Sequence, residues 1–251
     1  MSVHLLHRDR GDDRGQHDGA DLKLFCFPWS GAGKSAYRPL AEAMPSAVQI
    51  VSVQPPAESG LDAIADSLAE TLAETIDDPG TGRFAFFGHS LGALMAYAVA
   101  RRLPVKPEQL ILSASRSPAT PPPVTLHELP DEELDDGLAR MGGMSPERLA
   151  DKDFMARFRP RIRADLATCE TYRAPLGADS SIDVPITAWA GRSDWYASPW
   201  LVRQWRHFAG HRFELRQFDG DHFFINDMGS WVNALLADLT RTPPVTHTLS
   251  A

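Results

Sequence analysis

The chain has 251 residues, 43% of them hydrophobic, a formal net charge of −8 and a pI near 5.6. These values favour one domain with an inserted subdomain over two domains, and the acidic balance argues against a nucleic-acid-binding surface. No apolar run approaches the roughly 20 residues that cross a bilayer, and the N-terminus lacks the layout of a signal peptide. The two cysteines have no metal-site spacing. We therefore expect a soluble cytoplasmic protein with free thiols and no metal.

The first half of the chain alternates short apolar strands with helices. Residues 1–21 are polar without an apolar period, which predicts a disordered N-terminal extension. The strands that follow are apolar along their whole length, and this predicts a mostly parallel sheet covered by helices on both faces. Ligands of such sheets bind at the carboxyl ends of the strands. The predicted elements are strand Leu22–Phe27, helix Ser35–Met44, strand Val48–Val53, helix Leu61–Ile76, strand Phe84–Phe87, helix Leu91–Leu103 and strand Gln109–Ser113.

The pattern becomes purely helical at about residues 118–174. A stiff proline-rich linker is followed by three predicted helices and no strand, as expected of a lid inserted over a site at the top of the sheet. The alternative is a helical pair that packs on the sheet without gating anything. The predicted helices are Asp131–Met141, Pro146–Ala150 and Phe154–Tyr172.

The sheet resumes after this insertion, which completes one α/β domain over residues 22–240. Residues 241–251 are expected to form a flexible tail. The remaining predicted elements are strand Ile186–Ala190, helix Pro199–Phe208, strand Phe213–Phe218 and helix Ile225–Leu239.

The segment Gly88-His-Ser-Leu-Gly92 matches the pattern G-x-S-x-G and lies between a predicted strand and a predicted helix. In this pattern the glycines leave room for a very sharp turn, and the serine stands exposed at a helix N-terminus, where negative charge is favoured. We therefore predict that Ser90 is a nucleophile and that His89 points away from it. The alternative is a glycine-rich turn that carries a serine by chance.

A serine nucleophile needs a base, usually a histidine oriented by a carboxylate, and α/β-hydrolases carry the three in the order Ser, acid, His. His222 is the predicted base because it follows a strand at the carboxyl edge of the sheet. Asp194 follows the preceding strand and is the predicted acid. Asp219 and Asp221 are rivals, but a carboxylate beside its histidine in sequence rarely reaches Nδ1.

Acyl transfer also needs backbone donors for the oxyanion that forms on the carbonyl. The N–H of Leu91 is one candidate, and the loop after the first strand supplies the other from Trp29 or Ser30, with Ser30 preferred. Trp29 and Trp195 adjoin the catalytic loops and are candidates to line an acyl pocket between the lid and the turn Gly88–Gly92, hereafter the elbow. Plain core packing explains either tryptophan equally well.

Several segments together resemble type II thioesterases, the discrete editing hydrolases associated with polyketide and nonribosomal peptide synthases. The resemblance extends from about Leu22 to Leu239, and its lid motifs are the most specific because other α/β-hydrolases share only the triad. The segments are Phe27–Tyr37, Gly88–Ala93, Leu129–Leu134, Met141–Glu147, Arg163–Leu166, Tyr172–Pro175, Gly191–Asp194 and Gly220–Phe224.

Two stretches depart from the family pattern. The family usually carries Pro-Gly-Arg and a longer loop after the second strand, whereas Gln54–Gly60 is short and has no arginine. The first loop has Ser30 and Ala32 where the family prefers alanine and glycine. Any contribution that this arginine makes in the family, to the site or to carrier docking, is therefore absent from this chain.

The resemblance implies hydrolysis of acyl thioesters on the phosphopantetheine arm of acyl or peptidyl carrier proteins. It implies transient carrier binding, no cofactor and no membrane partner, and we expect a monomer. The rival functions are a carboxylesterase, an acyltransferase or cyclase, and a non-catalytic binding module. Arginines of the last lid helix could meet an acidic carrier, although a solvated arginine-rich helix is favoured. These arginines are Arg157, Arg159, Arg161 and Arg163.

Overall fold

The computed structural model describes residues 2–5, 21–58, 60–77 and 82–240. The predicted tail and most of the predicted N-terminal extension lie outside these ranges. The strands are β1 Ser2–Leu5, β2 Leu22–Phe27, β3 Val48–Gln54, β4 Arg83–His89, β5 Leu110–Ser113, β6 Ile186–Gly191 and β7 Phe213–Phe218. The helices are α1 Arg38–Ala43, α2 Leu61–Ile76, α3 Leu91–Arg102, α4 Asp131–Met141, α5 Pro146–Ala150, α6 Lys152–Thr171, α7 Pro199–Arg203 and α8 Met228–Thr240.

One seven-stranded sheet organises the domain, in the order β1-β3-β2-β4-β5-β6-β7. Strands β2 to β7 run parallel to one another, and β4 lies at the centre between β2 and β5. The prediction of a mostly parallel sheet is therefore confirmed. Because the strands are parallel, their carboxyl ends share one edge, and the loops that follow them meet there.

Strand β1 corrects one prediction. Residues 1–21 were expected to be disordered, yet Ser2–Leu5 pairs antiparallel with β3, from Ser2 opposite Gln54 to Leu5 opposite Val51. A segment of four residues is too short for its hydrophobic pattern to predict a strand. It is held by the backbone ladder of a neighbour almost fifty residues away in sequence, which composition does not reveal.

Helices cover both faces of the sheet. On one face α2 inserts Leu61, Ile64, Leu68 and Leu72 at helical spacing. Helix α3 lies under α2 and is buried from Leu91 to Ala100 without interruption. On the other face, α1 and α8 close a second apolar cluster that includes Trp189. The elbow helix α3 is therefore held in the centre of the core.

The three predicted helices of residues 118–174, hereafter the helical insertion, are confirmed as α4, α5 and α6. They share a small apolar cluster with Tyr196 from the domain below. Charged pairs join the helices: Arg159 contacts Asp135 at 2.7 Å, and Arg163 contacts Asp131 at 2.7 Å. No helix in the described ranges is long and apolar enough to cross a membrane.

Candidate active site

The elbow at Ser90 has the strained backbone that its sequence predicts. Ser90 has φ 56° and ψ −118°, a conformation that side-chain-bearing residues rarely adopt. A Cβ at Gly88 would lie 2.2 Å from the Gly92 carbonyl oxygen, and a Cβ at Gly92 would lie 2.1 Å from that of Phe27. Only glycine fits at either position. The strand, the turn and the helix are therefore pressed together so that Ser90 stands at the carboxyl edge of the sheet.

The structure brings Ser90, His222 and Asp194 together. His222 Nε2 lies 3.1 Å from Ser90 Oγ, and His222 Nδ1 lies 2.8 Å from Asp194 Oδ2. The other carboxylate oxygen of Asp194 accepts hydrogen bonds from the N–H groups of Tyr196 and Ala197, at 2.9 and 2.8 Å. Since a carboxylate can only accept, it holds the ring proton on Nδ1 and leaves the Nε2 lone pair facing Ser90.

The rival carboxylates are committed elsewhere. Asp219 is almost fully exposed and contacts Arg192 at 3.0 Å. Asp221 accepts a hydrogen bond from the N–H of Phe223 at 2.9 Å, two residues along its own loop. The ring of His222 has its carboxylate hydrogen bond from Asp194 and not from either rival, so the geometry favours Asp194 as the orienting carboxylate.

His89 points away from Ser90, as predicted. Its Nδ1 lies 3.0 Å from Ser113 Oγ, and its ring centroid lies 5.4 Å from that of His222. His89 is fully buried, and burial lowers its pKa well below the ordinary histidine value, with His222 adding to the effect. The imidazole ring of His89 is therefore uncharged and packs against His222 behind the nucleophile.

The predicted oxyanion donors lie beside the nucleophile. Leu91 begins α3, and its N–H has no acceptor among the described residues. Ser30 borders the same cavity as Ser90, and its N–H also lacks an acceptor in the described ranges. The next amide of that loop, Gly31 N–H, donates to Asp165 Oδ2 at 2.7 Å. The assignment of Leu91 and Ser30 as oxyanion donors stays a prediction.

A cavity of about 270 Å³ opens onto Ser90 and His222 beneath the helical insertion. Its walls are mostly apolar, and the candidate Trp29 is among them. Trp195 is not, so of the two roles considered for it the structure favours core packing. The Arg140 guanidinium lies 4.2 Å from the Trp195 ring and holds it within the insertion cluster. The insertion supplies Leu138, Met141, Met144, Arg148, Phe154, Phe158, Ile162 and Leu166 to the cavity.

A larger cavity of about 710 Å³ lies on the other side of the first loop. Trp29 and Leu91 border it, so it approaches the predicted oxyanion position from the opposite side. Pro55–Glu58, part of the short segment that departs from the family pattern, forms one wall, and α6 forms another. The shortened connection therefore lies close to the site.

Glu170 is a buried group that the sequence reasoning missed. Its carboxylate accepts from the N–H groups of Leu126 and His127 at 2.9 and 3.0 Å, and from the Tyr196 hydroxyl at 2.5 Å. Tyr196 in turn donates its N–H to Asp194 and packs its ring 5.7 Å from that of His222. Glu170 therefore ties both ends of the insertion to the loop of the predicted acid.

A signal for Glu170 was present in the sequence. It stands four residues after Leu166 and eight after Ile162, both of which are buried on one face of α6. A carboxylate that continues an apolar stripe is either an interruption of the core or a buried, fully hydrogen-bonded group. The structure shows the second.

The arginines considered as a carrier-binding patch, for which a solvated helix was the favoured alternative, mostly make contacts within the protein. Arg159 pairs with Asp135, Arg161 donates to the Ala32 carbonyl oxygen at 2.9 Å, and Arg163 donates to the carbonyl oxygens of His127 and Leu129. Within the described ranges, these contacts organise the insertion instead of forming one basic face.

The parallel sheet, the sharp elbow and the Ser–Asp–His order define an α/β-hydrolase with a serine-hydrolase site. Comparison with known proteins specifies it further. A family model described as a thioesterase domain matches residues 22–241. The chain therefore belongs to the thioesterase family of serine hydrolases, and its neighbours place it among the type II thioesterases.

One curated relative and two solved structures illustrate the similarity. The gramicidin S biosynthesis protein GrsT of Aneurinibacillus migulanus is 31% identical over 223 residues, which cover 83% of this chain and 85% of GrsT. The RedJ thioesterase from the prodiginine pathway of Streptomyces coelicolor is 32% identical, with a TM-score of 0.78 and coverage of 92% and 93%. The type II thioesterase BorB from the borrelidin cluster is 26% identical, with a TM-score of 0.77 and coverage of 95% and 97%.

Proposed function

We propose that the chain hydrolyses acyl groups held as thioesters on the phosphopantetheine arm of carrier proteins, and so edits polyketide or nonribosomal peptide synthesis. The carrying observation is the 3.1 Å contact between Ser90 Oγ and His222 Nε2 at the floor of the 270 Å³ cavity. Family membership and the biosynthetic pathways of the relatives support the substrate class. The carrier is bound transiently, by a monomeric cytoplasmic enzyme.

The proposed mechanism uses only groups of this chain. Ser90 Oγ attacks the thioester carbonyl carbon while its proton passes to His222 Nε2, and Asp194 stabilises the imidazolium. The oxyanion accepts hydrogen bonds from the N–H groups of Leu91 and Ser30. The carbonyl then re-forms as the C–S bond breaks, and His222 protonates the departing sulfur. We propose no metal or cofactor for these steps.

The second half of the cycle releases the acid. Water attacks the acyl group on Ser90 and gives a proton to His222, which returns it to Ser90 Oγ as the acyl–serine bond breaks. The products are a carboxylic acid and a free phosphopantetheine thiol. The apolar cavity under the insertion is the proposed site of the acyl chain, because Ser90 and His222 both border it.

Intact-mass analysis of a carrier protein loaded with acetyl, propionyl or longer chains tests the proposal. Wild type is expected to remove the acyl mass and release free acid, whereas Ser90→Ala retains the fold and loses turnover. A covalent adduct on Ser90 without release would indicate transfer to a missing acceptor. Activity on small oxygen esters alone would replace the proposal with an esterase, and neither loss nor adduct would leave a binding module.

A further inference from the structure

Two hydrogen bonds join helix α6 to the loop after β2, which carries the predicted oxyanion donor Ser30. Asp165 Oδ2 accepts a hydrogen bond from the Gly31 N–H at 2.7 Å, and the Arg161 guanidinium donates to the Ala32 carbonyl oxygen at 2.9 Å. Asp165 and Arg161 lie one turn apart on α6, so they present one face of the helix to the loop. The helical insertion and the loop are thus joined by two polar contacts over more than 100 positions of sequence.

The Trp29 ring packs on Tyr37, His89 and Phe223, but few hydrogen bonds fix the backbone of the turn that follows it. A single turn bond joins the Ala32 N–H to the Trp29 carbonyl oxygen at 3.0 Å, and Gly31 has φ 77°. The peptide between Ser30 and Gly31 is the middle of that turn, the part that can flip between turn types. Because the Gly31 N–H belongs to this peptide, its bond to Asp165 sets the peptide's orientation.

Packing shows that this contact needs the helix in its observed position. A Cβ on Gly31 would lie 2.5 Å from Phe158 Cζ and 3.0 Å from Ile162 Cδ1. The aromatic side chain of α6 therefore covers the glycine directly. If α6 moved away from the sheet, the loop would lose its cover and its carboxylate acceptor together.

The carboxylate of Asp165 is oriented toward the loop at an energetic cost. Burial raises its pKa, which the Gly31 hydrogen bond and Arg161 only partly offset. Its ion-pair partner within α6, Arg161, is 4.0 Å away at Nε and has an exposed side chain, so this contact is weak. The hydrogen bond from the Gly31 N–H is therefore the main interaction of the Asp165 carboxylate, and it joins α6 to the loop beside the site.

We propose that Asp165 is a positioning residue, which completes the oxyanion site only while α6 is seated over it. The inference rests on the proposed function, and it gives a role to the motif Arg163–Leu166, which otherwise marks only the fold. In this scheme, movement of the insertion changes access to Ser90 and, through the Gly31 peptide, the placement of the neighbouring Ser30 N–H.

The test compares Asp165→Ala, Asp165→Asn and the control Asp135→Ala, which removes an insertion ion pair that does not touch the loop. One readout is the kcat and KM for an acyl thioester of N-acetylcysteamine. The other is the rate at which a fluorophosphonate labels Ser90, a reaction in which Oγ binds phosphorus, fluoride leaves and His222 takes the proton. Labelling needs the nucleophile and the oxyanion donors, but no thioester.

Asp165→Ala is expected to lower both kcat and the labelling rate about 10- to 100-fold, with KM changed less than about threefold. Asp165→Asn keeps an oxygen that accepts from Gly31 and is expected to stay within about threefold of wild type. Asp135→Ala should match wild type within about twofold in both assays.

Equal labelling by Asp165→Ala and Asp135→Ala would overturn the inference. A loss that is the same for the alanine and asparagine variants and follows their melting temperatures would also overturn it, because the role would then be structural. A wild type that labels but hydrolyses no thioester would sink the proposed substrate class, while the labelling rates would still decide the role of Asp165.

Discussion

The elbow and the helical insertion meet at one cavity, but they are built by different physics. The elbow depends on backbone packing: Ser90 is held at φ 56° between two glycines, neither of which has room for a methyl group. The helix that follows it is buried over ten consecutive residues. The insertion consists of three helices around a small apolar cluster, joined by charged pairs. The catalytic geometry is therefore fixed by the core, whereas its cover depends on polar contacts that can be broken one at a time.

The largest effect is expected at the elbow. Gly92→Ala would force a methyl group to within 2.1 Å of the Phe27 carbonyl oxygen, which is backbone and cannot rotate away. We expect a loss of at least about 3 kcal/mol in the free energy of unfolding, or no folded protein. Gly33→Ala is the matched control because no atom lies within 4 Å of its added Cβ. Urea denaturation measures both, and a wild-type midpoint for Gly92→Ala would refute the elbow account.

The next effect tests a buried anchor of the insertion, the carboxylate of Glu170. Glu170→Ala would leave the N–H groups of Leu126 and His127 and the Tyr196 hydroxyl without their acceptor. We expect a loss of about 3 kcal/mol in the free energy of unfolding, and Glu170→Gln should recover part of it. If chemical denaturation gives less than about 1 kcal/mol for Glu170→Ala, the insertion is not anchored at this point.

The free energy of unfolding is expected to depend on pH through His89, which lies next to the elbow and contacts Ser113 and His222. Its pKa is lowered on folding, so below an unfolded value near 6.5 the unfolded chain binds the additional proton. Stability should therefore rise with pH in this range and fall by up to about 1.4 kcal/mol per unit as pH drops. His89→Gln should remove this part of the slope in denaturation curves between pH 5 and pH 7, and identical slopes would contradict it.

The smallest effect is expected from the charged pairs between insertion helices. Asp135→Ala removes the contact with Arg159, whose side chain is about one fifth exposed like that of Asp135. Because Arg159 keeps its second partner Asp131 after the substitution, we expect a loss of about 1 kcal/mol in the free energy of unfolding, and less at high salt. Thermal melts at low and high salt measure it. A loss as large as that of Glu170→Ala would show that the charged pairs between insertion helices stabilise the fold as much as the buried carboxylate does.

The sequence was sufficient for the local parts of this site. The elbow motif, its flanking strand and helix, and the order of Ser90, Asp194 and His222 are all local or topological, because parallel strands bring their carboxyl ends to one edge. The insertion helices were also predicted to within two residues of their observed starts.

The features that the sequence did not predict are contacts between segments that lie far apart in the chain. Asp165 reaches Gly31 across 134 positions, and no periodicity encodes that pairing. Adjacency to Asp194 makes Trp195 a candidate for either pocket lining or core packing, and its contact with Arg140 in the insertion cluster agrees with packing. Adjacency in sequence therefore locates the loops but does not show which side of a loop faces the cavity.

Strand β1 has a consequence for self-association. It covers the outer backbone groups of β3, the strand that would otherwise end the sheet on that side. At the opposite edge, β7 carries the charged residues Glu214 and Arg216, a common defence of an open edge. A chain that begins at Leu22 would expose the β3 ladder to strands of other molecules. We expect such a chain to form aggregates that light scattering detects, even with the catalytic edge intact.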